Sequence, residues 1–333
     1  MTAKSRKAVI ILSAVLVLII AAGILAAVLP GLLKSGGDES FFSISSPVRI
    51  SWSGSGFDQC GFILEDGVWY YSENKDYPIK QSDLAEIASL LTELEPSRSF
   101  DPSDELSSYG LDADTYTLTA EDENGSEFIL HIGALAGDGA CYAMTGSSDK
   151  IYVISSDIEG SLEGGLYEKV ESETISAPTL SDVAVLTITM DGITASFTHE
   201  IDDEDMDVWY YLAESGEYVA EENFSAVGSD GEEHTVRKYL NDIEDIVSSL
   251  RSSGCCGYLC TDAELENMGL GSTALKAEFT MSDGTVKTYI IGSEFSDDTD
   301  IYSYFTMDGL SGVYKMSSSA SSPLFEAVTA LGR

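Results

Sequence analysis

Cys255-Cys256-Gly257-Tyr258-Leu259-Cys260 holds three of the chain's five cysteines. Thiols are the most reactive groups the sequence offers, and three uses compete for them. A structural zinc site wants four ligands in paired short spacings, such as C-x2-C twice. Here there is one cluster, and the remaining thiols, Cys60 and Cys141, lie far upstream, while His131, His199 and His234 are scattered. Thioredoxin-like exchange wants C-x2-C at a helix N-terminus. The spacings present are C-C, C-x3-C and C-x4-C, and they follow a helical stretch rather than open one. A structural role remains. Either Cys255–Cys260 or Cys256–Cys260 staples a short loop and Cys60–Cys141 joins two strands, or the thiols stay reduced and pack as small apolar groups. Five is odd, so one thiol at least is unpaired within a monomer.

Other chemistries fare no better. Ser147-Ser148-Asp149-Lys150 has the S-x-x-K spacing of penicillin-interacting enzymes, but in a Gly/Ser/Asp turn and without S-D-N or K-T-G partners. No H-E-x-x-H, Walker loop or dinucleotide fingerprint occurs. Asp202-Asp203-Glu204-Asp205 and Asp297-Asp298-Thr299-Asp300 offer oxygens to a divalent cation, but not at EF-hand spacing, and read as solvated loops. Trp69-Tyr70-Tyr71 and Trp209-Tyr210-Tyr211 could stack on sugars or anchor a partner. Strand alternation places Trp69 and Tyr71 on one face and Tyr70 on the other, so one set reads as core. The sequence therefore predicts no catalysis, no cofactor and no resident metal.

The elements that hold these residues follow from charge and periodicity. From Ala8 to Leu33 the chain has 26 residues without a charge, against about 20 needed to span a bilayer. Lys4, Arg6 and Lys7 precede this stretch, which sets the N-terminus inside. The stretch exceeds the apolar core of a cleaved signal peptide and reads as an uncleaved anchor in the cytoplasmic membrane. All 57 acidic residues lie beyond it, and the chain's net charge is −40. Such a field repels nucleic acid and favours cations or a basic partner surface. With 44% hydrophobic residues, the exterior part still has enough apolar surface to fold.

The exterior part reads as one unit written twice. Glu105 to Gly133 aligns without a gap on Glu264 to Gly292, at an offset of 159. Gly110-Leu111 falls on Gly269-Leu270, Asn124-Gly125 on Asp283-Gly284, and Ile132-Gly133 on Ile291-Gly292. Asn-Gly and Asp-Gly between alternating runs predict hairpins. Upstream, Trp69-Tyr70-Tyr71 matches Trp209-Tyr210-Tyr211, and each is followed by a helical stripe. The first stripe is Leu84, Ile87, Ala88, Leu91 and Leu94, with Ser82 as N-cap; the second is Leu240, Ile243, Ile246, Val247 and Leu250. Strands are predicted at 48–52 and 62–64, and again at 185–189 and 195–197. Gly110 and Gly269 are predicted to share one backbone conformation, with φ positive.

The predicted fold is α+β: two tandem repeats of a mainly antiparallel sheet with one packed helix, in the order β-β-β-α-β-β-β, behind a single transmembrane helix. The expected boundaries are 1–7 cytoplasmic tail, 8–33 anchor, 34–44 linker, 45–170 first unit, 171–181 linker and 182–333 second unit. An insertion before the second helix is expected to be an exposed loop.

This pattern resembles bacterial membrane-anchored proteins of the domain of unknown function 4340 family. Trp69, Tyr109-Gly110-Leu111, Ile132-Gly133 and Tyr152 carry the resemblance; Trp209, Gly269-Leu270, Ile291-Gly292 and Tyr314 carry it less fully, since Met268 stands where the first unit has a tyrosine. The resemblance implies an auxiliary envelope subunit encoded beside ABC transporters of the gliding-motility type, with a protein partner among the transporter subunits. It brings no catalytic residues. The alternative is an extracytoplasmic sensor or binding module for a small ligand, a cation or a wall glycan.

Overall fold

Alternating apolar and polar residues make strands the commonest element among the described residues, and a strand turns successive side chains to opposite faces of its sheet. The computed structural model describes residues 41, 44–54, 56–112, 116–201, 207–213, 215–249, 254–297 and 300–332. The expected tail, anchor and most of the following linker lie outside the described residues. Among the described residues, no helix is long and apolar enough to cross a membrane.

The first compact unit ends at Leu166. It runs β1 (Pro47–Gly54), β2 (Phe57–Glu65), β3 (Val68–Tyr71), α1 (Gln81–Thr92), β4 (Arg98–Phe100), a 3-10 turn (Leu106–Tyr109), β5 (Tyr116–Asp122), β6 (Glu127–Gly137), β7 (Ala140–Thr145), β8 (Ile151–Ser155) and α2 (Asp157–Leu162). All eight strands join one sheet in the order β3-β2-β1-β5-β6-β7-β8-β4, every neighbour antiparallel. Leu84, Ile87 and Leu91 of α1 are fully buried, and the helix packs on β1, β3 and α2. Beneath it Trp52 stacks on Phe62 at 5.1 Å. Asp66-Gly67 and Asp138-Gly139 have φ positive at both residues, the twist that a two-residue hairpin turn needs.

The second unit begins at Tyr167. It contains β9 (Val183–Met190), β10 (Ile193–Ile201), β11 (Asp207–Leu212), β12 (Tyr218–Ala220), β13 (Ser225–Val227), β14 (Glu233–Thr235), α3 (Val236–Ser249), β15 (Cys255–Tyr258), α4 (Asp262–Asn267), β16 (Leu275–Met281), β17 (Val286–Asp297), β18 (Asp300–Met307), β19 (Gly312–Ser317) and α5 (Ser318–Leu331). Its main sheet has the order β12-β11-β10-β9-β16-β17-β18-β19-β15; β13 and β14 form a separate hairpin. Helix α5 covers β9, β10, β18 and β19 and packs on α3. A buried hydrogen bond of 3.0 Å between Ser303 and Ser321 pins it to the sheet, and the Tyr211 hydroxyl donates to the Leu331 carbonyl at its end.

The Gly-Leu and Ile-Gly pairs meet in each unit. The Leu111 amide donates to the Leu106 carbonyl and the Gly110 amide to Ser107, at 3.0 and 3.1 Å. Leu270 and Gly269 donate to Leu265 and Glu266 in the same way, at 2.8 and 3.0 Å. This Schellman-type ending requires the left-handed conformation at its glycine, and φ is +67° at Gly110 and +70° at Gly269. The capped turn lies directly on the sheet. A β-carbon on Gly110 would lie 2.5 Å from the Ala134 amide nitrogen, and one on Gly269 would lie 2.7 Å from that of Ser293. A β-carbon on Gly133 would strike the Tyr109 carbonyl oxygen, and one on Gly292 the Met268 carbonyl oxygen. In the second unit the Ser293 amide donates to that same carbonyl at 2.9 Å. The strand pairing skips a residue here, between Ile132 and Leu135 and between Ile291 and Glu294, which frees the backbone for the contact.

Several expectations need correction. Each unit has further strands beyond β-β-β-α-β-β-β: β4 and β7 in the first, β12, β13, β14, β15 and β18 in the second. Each also ends in a further helix, α2 or α5, and the second unit has the short α4 besides. The segment 171–181, expected to be a linker between the units, is bonded within the second unit. Glu173 accepts from the amides of Ser311 and Gly312 and from the Tyr314 hydroxyl at 2.8–3.1 Å, and Ser176 accepts from the Tyr289 hydroxyl at 2.7 Å. The insertion supplies β12 to the sheet edge and folds the β13–β14 hairpin. Ser82 is not the N-cap of α1; Lys80 is, with no side-chain cap. Of the second stripe, Leu240 and Ile243 are buried, while the side chains of Ile246 and Val247, and Leu250, lie outside the description.

Two glycines separate steric from conformational constraint. Gly292 has no positive φ but faces the Met268 carbonyl; Gly284 has φ +85° and open space. Gly292→Ala is expected to cost about 3 kcal/mol, the upper end of overpacking. Gly284→Ala should cost about 1–2 kcal/mol, the penalty for a left-handed L-residue. Denaturant unfolding of both variants checks the ranking; equal losses would count against the close contact.

Candidate functional site

Trp69 and Trp209, predicted either to anchor a partner or to join the core, are 5% and 8% exposed and belong to the core. Trp69 lies on β3, the edge strand of its sheet, whose outward amide and carbonyl need partners. Gln81, the first residue of α1, supplies both. The Trp69 amide donates to Gln81 Oε1 at 2.8 Å, and Gln81 Nε2 donates to the carbonyls of Trp69 and Ile79 at 2.9 and 3.0 Å.

In the second unit β12 covers part of the corresponding strand, pairing Tyr210 with Ala220. Its chain then enters a 3-10 turn, Glu221–Asn223, and drives a carboxylate into the protein. Glu221 is 2% exposed. Arg237, in the first turn of α3, forms an ion pair with Oε1 while over half of its own side chain stays in solvent. Neither Glu221 oxygen has a well-directed hydrogen-bond donor. Burial raises the Glu221 pKa from its ordinary value; the Arg237 charge and then the Trp209 amide oppose this. His199 stacks on Trp209 at 4.8 Å with planes 12° apart, and its Nδ1 donates to the Val183 carbonyl at 2.9 Å.

These side chains, with Leu180, Ser181, Leu240, Asn241 and Glu244, line a pocket of about 150 Å³. It joins an aromatic and aliphatic wall to a buried carboxylate, an arrangement that can bind a small polar group. Nothing in the sequence distinguished Glu221. It is one of 57 acidic residues and sits in a stretch rich in Glu, Gly and Ser; only the fold shows that this one points inward.

The cysteines are all free thiols. Cys60 is on β2 and Cys141 on β7, with β1, β5 and β6 between them. Four strand spacings amount to roughly 19 Å across the sheet, so the expected Cys60–Cys141 bridge is ruled out. Both are buried, with Sγ near the Trp52 and Ser155 carbonyls at 3.8 and 3.7 Å. Burial pushes the Cys141 thiol up to about 12 and the Cys255 thiol up to about 11. Cys255 and Cys256 alternate along the edge strand β15; Cys260 follows it, its pKa also raised by burial, and packs against Gly257. Held protonated at neutral pH, Cys141, Cys255 and Cys260 are poor nucleophiles and poor metal ligands.

Among the described residues, ligand atoms of Asp230, Glu232 and His234 lie within 4.8 Å of one another. They shape the tip of the β13–β14 hairpin. Asp230 accepts from the Glu232 amide at 2.9 Å and contacts His234 Nε2 at 2.7 Å. Of the two acidic runs, residues 202–205 and 298–299 lie outside the described residues.

Residues 69–272 match the model of a family described as Domain of unknown function (DUF4340). The match starts at Trp69 and takes in both Gly-Leu pairs; Gly292 and Tyr314 fall beyond it. No curated protein and no solved structure matches the chain.

Two measurements follow from the burial of these groups. In the folded protein at pH 8, a maleimide should label Cys141 and Cys255 at least about a hundredfold more slowly than the partly exposed Cys256, and denaturant should abolish the difference. Uniform native rates would contradict the burial. A raised folded pKa means the folded state keeps the Glu221 proton to higher pH, so its contribution to stability falls as pH rises above about 4.5. The Tm of Glu221→Gln relative to the native protein should therefore climb from pH 4.5 to 7; a pH-independent difference would refute this.

Proposed function

The chain belongs to the DUF4340 family, and from that premise we propose that it is a membrane-anchored, extracytoplasmic accessory protein that acts by binding a protein partner, without catalysis of its own. The charge-free stretch from Ala8 to Leu33 is the anchor, with the N-terminus inside and the folded units outside.

One observation supports the reading: the residues that match at a fixed offset in the sequence go into turns and cores in both units. We infer a tandem duplication from the offset of 159, supported by the shared strand order. The order β3-β2-β1-β5-β6-β7-β8-β4 recurs as β11-β10-β9-β16-β17-β18-β19-β15. The glycine contacts, the Schellman endings and the skipped residue in the strand pairing recur at that same offset. Every residue that recurs this way closes a turn or fills a core. Function then falls to the variable exterior, whose strong negative charge selects a basic partner surface. The resemblance noted above points to transporter membrane subunits as that partner.

Crosslinking in intact cells, followed by detergent extraction and identification of what copurifies, tests this. Permease and ATPase subunits of one transporter are expected. Recovery of the chain alone, or only with copies of itself, would overturn the proposal.

A further inference from the structure

The Glu221 pocket is the one place among the described residues where a buried charge is left incompletely satisfied. A carboxylate can accept about four hydrogen bonds. Glu221 is 2% exposed, receives the Arg237 charge on Oε1 and a backbone contact from Trp209, and neither of its oxygens has a well-directed donor. Leaving such an oxygen unmet in the interior is costly, so the site asks for a donor. The turn that carries Glu221 could have placed it in water, as it does the exposed Glu222 beside it.

The surroundings define the donor. Glu221 and Glu244 set two carboxylates against the one guanidinium of Arg237, with the His199 ring beside them. Ser181 and Asn241 offer neutral oxygens, and Trp209 and Leu240 offer an apolar wall. Arg237 already occupies one side of the carboxylate, and its charge repels a divalent ion. A volume of about 150 Å³ is that of roughly five waters and excludes drug-sized ligands. We propose that this pocket binds a primary ammonium group on a short aliphatic stem, with Glu221 as its counter-ion. The group could come from a free small amine or from a lysine side chain of another protein. The proposal goes beyond the accessory reading and does not depend on it, because the pocket is complete within one unit and can be probed without any partner.

The test is thermal unfolding of the full chain in detergent with butylammonium, with N-acetyl-lysine amide, or with tetramethylammonium, which has the charge but no N–H. At saturation, butylammonium should raise Tm by about 2–4 °C, a shift within reach of a weak ligand in large excess. Tetramethylammonium should give no saturable shift. An equal response to N-acetyl-lysine amide would assign the site to lysine side chains; a response to butylammonium alone would assign it to free amines. Glu221→Gln should abolish the shift. Ser181→Phe, an exposed position at the pocket wall, should block it without touching the carboxylate, which keeps the test valid if the first variant folds poorly. No saturable shift, or one that survives both substitutions, would overturn the proposal and leave the pocket to water.

Discussion

A capped turn pressed against a strand, backbone to backbone, is the constraint on which each unit depends. The Tyr109 and Met268 carbonyls lie where a side chain on Gly133 or Gly292 would have to be. Only glycine allows that approach, and only a locally skipped strand pairing turns the strand to receive it. The contact has consequences on both sides. It fixes the segment arriving from β4 or β15, and it sends Leu111 and Leu270 into the core at 5% and 7% exposure. The strands that follow, β5–β6 and β16–β17, begin from that anchored point. Their hairpins then close with Gly125 and Gly284 in the left-handed region, at φ +77° and +85°.

The two units solve one problem differently, and the difference creates the pocket. A tryptophan strand lies at or near the sheet edge in each and needs partners for its outward backbone. The first unit uses a neutral amide, Gln81, which donates and accepts in one plane. The second inserts β12 and then buries Glu221. A carboxylate cannot donate, so it brings a charge that the fold balances only in part with Arg237. A stacked ring pair, His199 on Trp209, closes one side of the resulting space.

Thiol burial belongs to the same economy of polar groups. Cys60 and Cys141 occupy inward positions of strands, where a small apolar side chain fits beneath larger neighbours. Their separation follows from the sheet order, in which consecutive hairpins place β2 and β7 on opposite sides of the central strands. Spacing along the chain carries no information about that distance.

The sequence by itself determined the hairpins, the helix stripes, the inward rows of the strands and the family. It also located the glycine pairs and the sign of φ at Gly110 and Gly269. Each of these is a local matter: periodicity and turn chemistry are readable over a few residues. Tertiary structure alone decided the rest. Which strands neighbour one another, that Cys60 and Cys141 are strangers, that 171–181 is bonded in place, and that one glutamate among 57 points inward all depend on contacts between distant residues. β7 escaped prediction because two alanines dilute its alternation, and β4 and β12 because three residues are too few to show one. Glu221 escaped because burial is a property of its surroundings, and an acidic side chain reads as solvated until those surroundings are known.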